Sequence, residues 1–193
     1  MIDFTEDIDS HLNESKVVLE DMRSIISEKA ITFAKIISNC FCNNGKLIWC
    51  GNGGSASECL HLSAEFVGRF KSDREPLASI ALSSDISALT CISNDYSFED
   101  VFSRQIEALG KKEDVLICLS TSGNSLNVLK AIESAKKLDL DILCFLGKKG
   151  GLAAGLVKNE IIIKSDSTAR VQEMHLMIGH IVVELVEKMM GYE

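Results

Sequence analysis

Residues 46–66 read KLIWCGNGGSASECLHLSAEF. The apolar run at the start predicts a buried strand, the glycines a tight turn, and the remainder an amphipathic helix. Apolar runs and helical patterns alternate in the same way down the chain. Apolar strands separated by helices indicate a parallel sheet that is covered on both faces. The predicted strands are Lys46–Cys50, Leu77–Leu82, Val115–Leu119, Ile142–Leu146 and Glu160–Lys164.

A long helical pattern precedes the first strand. Apolar residues recur there at three- and four-residue spacing from Val17 to Ile37, and Asn43-Asn44-Gly45 then ends the helix. We therefore predict an α/β fold, a single doubly wound domain with a five-stranded parallel sheet over residues 46–193 and an N-terminal helical extension over 1–45. The other predicted helices are Ser55–Phe66, Ser84–Ser93, Phe98–Leu109, Ser125–Lys137 and Ala169–Met190.

Composition narrows the class of protein. The chain has 193 residues, 46% of them apolar, which suits one globular domain. Lys and Arg number 20 against 28 Asp and Glu, and the net charge of −8 argues against nucleic-acid binding, which needs a basic surface. The acidic first residues do not resemble a signal peptide, and no uncharged apolar run approaches the roughly 18 residues of a membrane span. We expect a cytoplasmic protein.

The seven cysteines fit that expectation. Their number is odd, no Cys-x-x-Cys occurs, and Cys50, Cys118 and Cys144 lie in apolar runs. This pattern is unlike a disulfide framework and favours buried, reduced side chains for most of them.

The loops that follow the strands are where chemistry is expected, because open α/β sheets bind ligands at the carboxyl ends of their strands. The loop Gly51–Ala56 matches the dinucleotide pattern G-x-G-x-x-A. However, the acidic residue expected about 20 positions later, at the end of a second strand, is missing. The chain also lacks the G-x-x-x-x-G-K-[ST] loop of nucleoside triphosphatases. A tight turn without cofactor binding is the simpler alternative.

The loop Ser120–Ser125 carries four hydroxyls around one glycine at the start of a helix. A helix N-terminus offers unpaired N–H groups and a positive dipole end, and hydroxyls add donors, so this loop suits a phosphate monoester. An ordinary N-cap is the alternative, although one Ser would suffice for it. The loop Gly147–Gly151 contains Lys148 and Lys149 but is read as an exposed turn and is the second candidate for phosphate.

Two helices carry the groups that could catalyse a reaction or bind a metal. His61 and Glu65 lie four apart on one face of the helix after the glycine loop, in largely apolar surroundings. Gln172, His175 and His180 lie on the last helix. Gln172 and His180 are separated by about 12 Å of helix rise, so they share one ion only if both side chains lean inward or if different subunits contribute them. A structural hydrogen bond is the alternative for the His61–Glu65 pair.

Five segments together resemble one family. They resemble segments that occur in the same order in phosphoheptose isomerases, and together they span almost the whole chain. Phosphoheptose isomerases are sugar isomerase (SIS) domain proteins with a flavodoxin-like sheet. The set is specific, although each segment alone is not. The segments are GNGGSA (51–56), HLSAEFVGRF (61–70), SNDY (93–96), STSGNS (120–125) and TARVQE (168–173).

The resemblance implies an aldose–ketose isomerase that converts sedoheptulose 7-phosphate to D-glycero-D-manno-heptose 7-phosphate for bacterial surface polysaccharide. It further implies a homotetramer with active sites between subunits and about one Zn²⁺ per subunit. Glu65 and His180 would be the acid–base pair. The implied zinc ligands are His61, Glu65, Gln172 and His180. The implied substrate-binding residues are Asn52, Gly53, Gly54, Ser55, Glu65, Asn94, Asp95, Ser120, Thr121, Ser122, Ser125 and Gln172.

Two other functions stay open at this point. One is a non-catalytic SIS protein that binds a partner such as a replication initiator. Such a module would be free to lose Glu65 and His180, and this chain retains both. The other is an isomerase of a different sugar phosphate, because residue chemistry alone does not specify the number of carbons.

Overall fold

The computed structural model describes residues 2–192. Five parallel strands form one sheet in the order β2-β1-β3-β4-β5, which is the flavodoxin-like order of doubly wound folds. The predicted fold class is confirmed, and each strand boundary lies within two residues of its prediction. The strands are β1 (Leu47–Gly51), β2 (Ser79–Ala81), β3 (Val115–Ser120), β4 (Asp141–Gly147) and β5 (Asn159–Ile163).

One predicted helix is wrong. In place of Phe98–Leu109, a 3-10 turn at Phe98–Asp100 precedes a shorter helix that begins at Ser103. The chain turns at Val101 and Phe102, which are consecutive and both buried. The helices are α1 (Thr5–Cys42), α2 (Gly54–Val67), α3 (Ile86–Asp95), α4 (Ser103–Leu109), α5 (Leu126–Lys137) and α6 (Thr168–Met189).

Alternate residues of each central strand face opposite layers of helices. In β1, Leu47 and Trp49 pack with α1, α2 and α6, whereas Ile48 and Cys50 pack with α4 and α5. The sheet is therefore covered on both faces, as its apolar strands predicted. Cys50, Cys118 and Cys144 lie side by side in register on the α5 face and are buried and free, as expected.

The predicted N-terminal helical segment is present as α1, and most of its length packs onto the rest of the domain. From Val18 onward, one face of α1 is buried against the sheet and α6, because its apolar spacing continues to Cys40. Only the first turns project, and there Ile8 and Leu12 are exposed. The helix ends as predicted, with Asn44 in the left-handed conformation (φ 59°). Within residues 2–192, none of the helices has both the length and the apolar composition needed to cross a bilayer.

Candidate functional site

A pocket of about 210 Å³ lies at the carboxyl ends of β1 and β3, where α2, α5 and α6 begin. Parallel strands bring these ends to one edge of the sheet, which explains why loops distant in sequence meet there. The pocket brings together most of the predicted substrate-binding residues. It is lined by Asn52, Gly54, Ser55, Leu119, Ser120, Thr121, Ser122, Ser125, Thr168 and Gln172.

The Ser/Thr loop presents hydroxyls whose hydrogens remain available. Ser120 Oγ accepts the Gly123 N–H at 3.1 Å, and Ser122 Oγ accepts the Asn124 N–H at 3.1 Å. A hydroxyl that accepts in this way can still donate to a ligand. Ser125 occupies the N-cap position of α5, yet its side chain makes no capping hydrogen bond within the described chain. The N-cap alternative therefore does not explain the Ser125 hydroxyl.

The loop after β4 supports the Ser/Thr loop. A Cβ on Gly123, where φ is +65°, would lie 1.8 Å from the Gly150 carbonyl oxygen, so only glycine permits this contact. Lys148 and Lys149 do not line the Ser/Thr pocket. Together with Lys164 they border a different cavity of about 460 Å³.

Gln172 closes one side of the pocket. A Cβ on Gly54 would lie 2.1 Å from Gln172 Nε2, so the missing side chain at Gly54 makes room for the amide. On the other side, Asn52 and Asn127 exchange two amide hydrogen bonds of 2.8 Å each, which fixes the loop after β1 against α5. These contacts fix both sides of the pocket rim to the surrounding helices.

A second group of side chains lies where α2 and α6 pack together. His61 Nε2 lies 2.9 Å from His180 Nε2 and 3.3 Å from Glu65 Oε1. One ligand atom of each of these three residues lies within 4.8 Å of the other two. Burial lowers the pKa of His180, and the neighbouring His61 adds to the effect, whereas Glu65 opposes it. Two imidazoles and one carboxylate form a donor set that suits zinc.

A close crossing of the two helices holds this group together. A Cβ on Gly179 would lie 2.5 Å from Leu62 Cδ1, so the missing side chain at position 179 makes room for Leu62 between the two helices. Gly179 and Leu62 are the sequence neighbours of His180 and His61. Because Gln172 also contacts Gly54, α2 and α6 run side by side in the same direction from the pocket to the His61–Glu65–His180 group.

Some predicted residues are not brought into the pocket by this chain. Asn94 donates to Asp95 at 2.8 Å, which lowers the pKa of the Asp95 carboxyl, and both lie at the exposed end of α3. Gly53 adopts φ +55° in the turn before α2 and does not line the pocket.

His175, the other histidine of α6, lies in the core and not beside His61 and Glu65. Its Nε2 is 3.1 Å from the Leu146 carbonyl oxygen, and burial lowers its pKa to about 4. The ring packs edge-on against Phe145. His175 is therefore a neutral core residue, turned away from His180.

Comparison with known proteins agrees with this geometry. The SIS domain model matches residues 10–147. A phosphoheptose isomerase from Helicobacter pylori strain P12 is 46% identical over 179 residues, which cover 93% of this chain and 91% of that protein. The chain belongs to the phosphoheptose isomerase family. The family resemblance read from the sequence is confirmed.

Solved structures of phosphoheptose isomerases share the whole fold. The structure from Neisseria gonorrhoeae has a TM-score of 0.91 at 36% identity and covers 96% of this chain and 100% of that one. The structure from Francisella tularensis has a TM-score of 0.93 at 29% identity, with coverages of 97% and 100%. The five-stranded sheet and the long first helix are thus those of the phosphoheptose isomerase family.

Sequence reasoning assigned no site role to three residues that shape this candidate site. Asn127 has no distinguishing pattern around it, because its role depends on Asn52, 75 residues away. Thr168 was noticed only within the family motif, although its position at the start of α6 is a signal for a pocket-facing hydroxyl. Gly179 could have been singled out as a glycine inside a long apolar helix.

Proposed function

We propose that this member of the phosphoheptose isomerase family converts sedoheptulose 7-phosphate to D-glycero-D-manno-heptose 7-phosphate, which supplies heptose for bacterial surface polysaccharide. The carbonyl moves from C2 to C1 through an enediolate. The observation that carries the proposal is the pairing of a hydroxyl-rich pocket with the His61–Glu65–His180 group along two adjacent helices.

The pocket suits the phosphate end of the sugar. Ser120, Thr121, Ser122 and Ser125 offer hydroxyls beside the N-terminus of α5, whose unpaired N–H groups and dipole favour an anion. Neutral donors of this kind bind a phosphate without a lysine. Ser55, Asn52 and the Gln172 amide, which line the same pocket, would contact the adjacent sugar hydroxyls.

The separation of the two groups suits a seven-carbon substrate. From Gly54 to His61, α2 rises by about 10 Å. An extended chain from C1 of a heptose to its terminal phosphorus has eight bonds and spans about 10 Å, at about 1.2 Å per bond as in an extended backbone. With its phosphate among the serines, the sugar would therefore bring C1 and C2 to Glu65 and His180.

Glu65 and His180 would carry out the proton transfers. The Glu65 carboxylate takes the proton from C1 of the ketose and returns it to C2, which converts the ketose to the aldose with no net gain or loss of atoms. His180, the imidazole partner, moves the proton between the two oxygens. The Glu65 side chain is only 20% exposed, which limits the access of water to the enediolate.

Zinc fits the same group, because two imidazoles and a carboxylate with mutually close ligand atoms are the donors that Zn²⁺ prefers. His61, Glu65 and His180 would hold about one ion per subunit. Bound there, the ion would supply positive charge that polarises the carbonyl and stabilises the enediolate. Gln172, the fourth ligand implied by the resemblance, lines the phosphate pocket with its amide, so we assign it to the sugar and the fourth zinc position to water.

A homotetramer would complete the site. Asn94 and Asp95 stand apart from the pocket of their own chain, so a neighbouring subunit would have to supply them. Leu60 and Ile181, next to His61 and His180 in sequence, are 42% and 37% exposed, and such apolar surface around a site favours burial by another subunit. The exposed stripe of Ile8 and Leu12 on α1 offers a second surface for the same purpose.

The test is to incubate the purified protein with sedoheptulose 7-phosphate and follow aldose formation, beside matched five- and six-carbon ketose phosphates. Turnover that is fastest with the seven-carbon substrate is the expected result. Faster turnover of a shorter sugar would contradict the substrate assignment. Binding without turnover of any of the three would contradict the enzymatic function and favour a non-catalytic SIS protein.

A further inference from the structure

A single buried carboxylate fixes the segment that follows α2. Glu187, on α6, has a side chain with 0% exposure. It accepts backbone N–H groups from Phe70 at 3.2 Å, Lys71 at 3.1 Å and Ser72 at 3.4 Å. We refer to residues 68–75, which these bonds hold against α6, as the clasp.

Arg74 ties the clasp to the end of α2. Its guanidinium, also 0% exposed, donates through Nε to Glu187 at 2.8 Å. Nη2 donates to the Glu65 carbonyl oxygen at 2.8 Å, and Nη1 donates to the Phe66 carbonyl oxygen at 2.9 Å. These carbonyls belong to the last turn of α2, where a helix leaves acceptors unpaired. The clasp thus joins the backbone of Glu65 to α6 beyond His180.

Burial alone would raise the pKa of the Glu187 carboxyl, but the hydrogen bonds from the clasp outweigh it and hold that pKa below its usual value. The carboxylate therefore stays charged beside Arg74. A buried ion pair contributes little to stability compared with apolar packing of the same volume. The role of the Arg74–Glu187 pair is therefore better explained by the clasp that it holds in place.

The clasp presents one side chain to the candidate catalytic group. The Phe70 ring lies parallel to the His180 imidazole, with centroids 5.5 Å apart and planes at 13°. The His61 ring meets the same imidazole edge-on, with centroids 5.1 Å apart and planes at 85°. His180 is therefore confined by a flat apolar surface and by the imidazole towards which its Nε2 points.

We infer that Phe70 is a positioning residue for His180, held in place by the buried Arg74–Glu187 pair. The inference rests on the proposed function, since it concerns how the proposed acid–base residue is oriented. The flat Phe70 ring limits rotation of the imidazole and keeps Nε2 directed at His61 and Glu65. A residue of similar volume without a flat ring would fill the space but leave the imidazole free to turn.

The experiment compares Phe70→Leu, Phe70→Tyr and Phe41→Leu with the wild-type protein. Phe41 is the matched control, because it is also partly buried in the same core layer, and its ring packs against the Phe66 ring. We expect Phe70→Leu to lower kcat about 10–100-fold, with KM changed less than about twofold. This is the range for residues that contact and orient a functional side chain but do not touch the substrate. Phe70→Tyr restores kcat, and Phe41→Leu leaves it near wild type.

A second readout needs neither substrate nor metal. The nuclear Overhauser contact between the ring protons of His61 and His180 reports their edge-on arrangement directly. We expect it in the wild type, Phe70→Tyr and Phe41→Leu, and expect its loss in Phe70→Leu. Its persistence in Phe70→Leu, its absence in the wild type, or an equal loss of kcat in Phe41→Leu would overturn the inference. A wild-type protein that shows the contact but no turnover would contradict the proposed function alone.

Discussion

His61 and His180 face each other across α2 and α6 with 2.9 Å between their Nε2 atoms. Two imidazole nitrogens bound to one tetrahedral zinc, at about 2.0–2.1 Å each, lie about 3.3 Å apart. The observed pair is within a few tenths of an ångström of that separation. The packing of α2 against α6, which includes the contact between Gly179 and Leu62, therefore already holds these two nitrogens near the separation that the proposed zinc would need.

Enlarging Gly179 should separate the two histidines. In Gly179→Ala the new Cβ meets the buried Leu62 side chain, so we expect α6 to move away from α2 and the zinc content to fall well below the one ion per subunit proposed for the wild type. Alanine favours a helix over glycine by about 1 kcal/mol, so poor helix formation would not explain the loss.

The matched control for this change is the double variant Gly179→Ala with Leu62→Ala, which removes the clashing methyl groups. Elemental analysis should show zinc restored in the double variant. Equal zinc in the wild type, Gly179→Ala and His61→Ala would contradict the metal site.

Removing the Ser125 hydroxyl should weaken phosphate binding without weakening the helix that it precedes. Because this side chain makes no capping hydrogen bond, Ser125→Ala should leave the free energy of unfolding within about 0.5 kcal/mol of wild type. The loss of one hydrogen bond to a charged group should raise the Kd for the sugar phosphate by about tenfold or more.

Ser167→Ala is the control, since Ser167 holds the same N-cap position on α6, also makes no capping bond and does not line the pocket. Isothermal titration with the sugar phosphate and with the unphosphorylated heptulose measures the effect. If Ser125→Ala weakens both ligands equally, the phosphate lies elsewhere.

Gly54 and Gln172 should act as one unit. In Gly54→Ala the Cβ occupies the place of Gln172 Nε2 and turns the amide out of the pocket, which should raise KM about fivefold, as expected for one lost hydrogen bond. Gln172→Ala should raise KM by a similar factor. Combining the two should add little, because the second change removes a contact that is already lost. Independent, multiplicative effects on KM would contradict this coupling.

The sequence predicted much of this molecule, and what it missed has a common physical cause. Apolar runs separated by helical patterns predicted the five strands, and the rule that ligands bind at the carboxyl ends of parallel strands predicted that Ser120 and Asn52 lie at one edge of the sheet. The sequence around a residue does not indicate which distant segment that residue will contact. The stacking of Phe70 on His180 and the Arg74–Glu187 pair, which joins positions 113 residues apart, therefore emerged only from the folded chain.

His175 should make stability depend on pH in a defined window. Its pKa is lowered to about 4 in the fold, whereas an unfolded histidine titrates near about 6.5. The unfolded chain therefore takes up a proton first as the pH falls, so stability is full above about 6.5 and declines towards about 4, by roughly 3 kcal/mol in total.

Urea unfolding at fixed protein concentration, from pH 7 to pH 4.5, measures this decline. His175→Gln does not titrate in that range and should show a shallower decline than the wild type, whatever its stability at pH 7. Parallel curves for the two proteins would show that His175 is not the titrating group.

The most direct measurement is the rate of aldose formation from sedoheptulose 7-phosphate by Glu65→Gln, relative to the wild type. Glutamine keeps the shape of the side chain but cannot accept the proton from C1. The account predicts that kcat falls by about 10²–10⁴-fold or more, with fold and substrate binding nearly intact. A kcat within about tenfold of the wild type would contradict the assignment of Glu65 as the base.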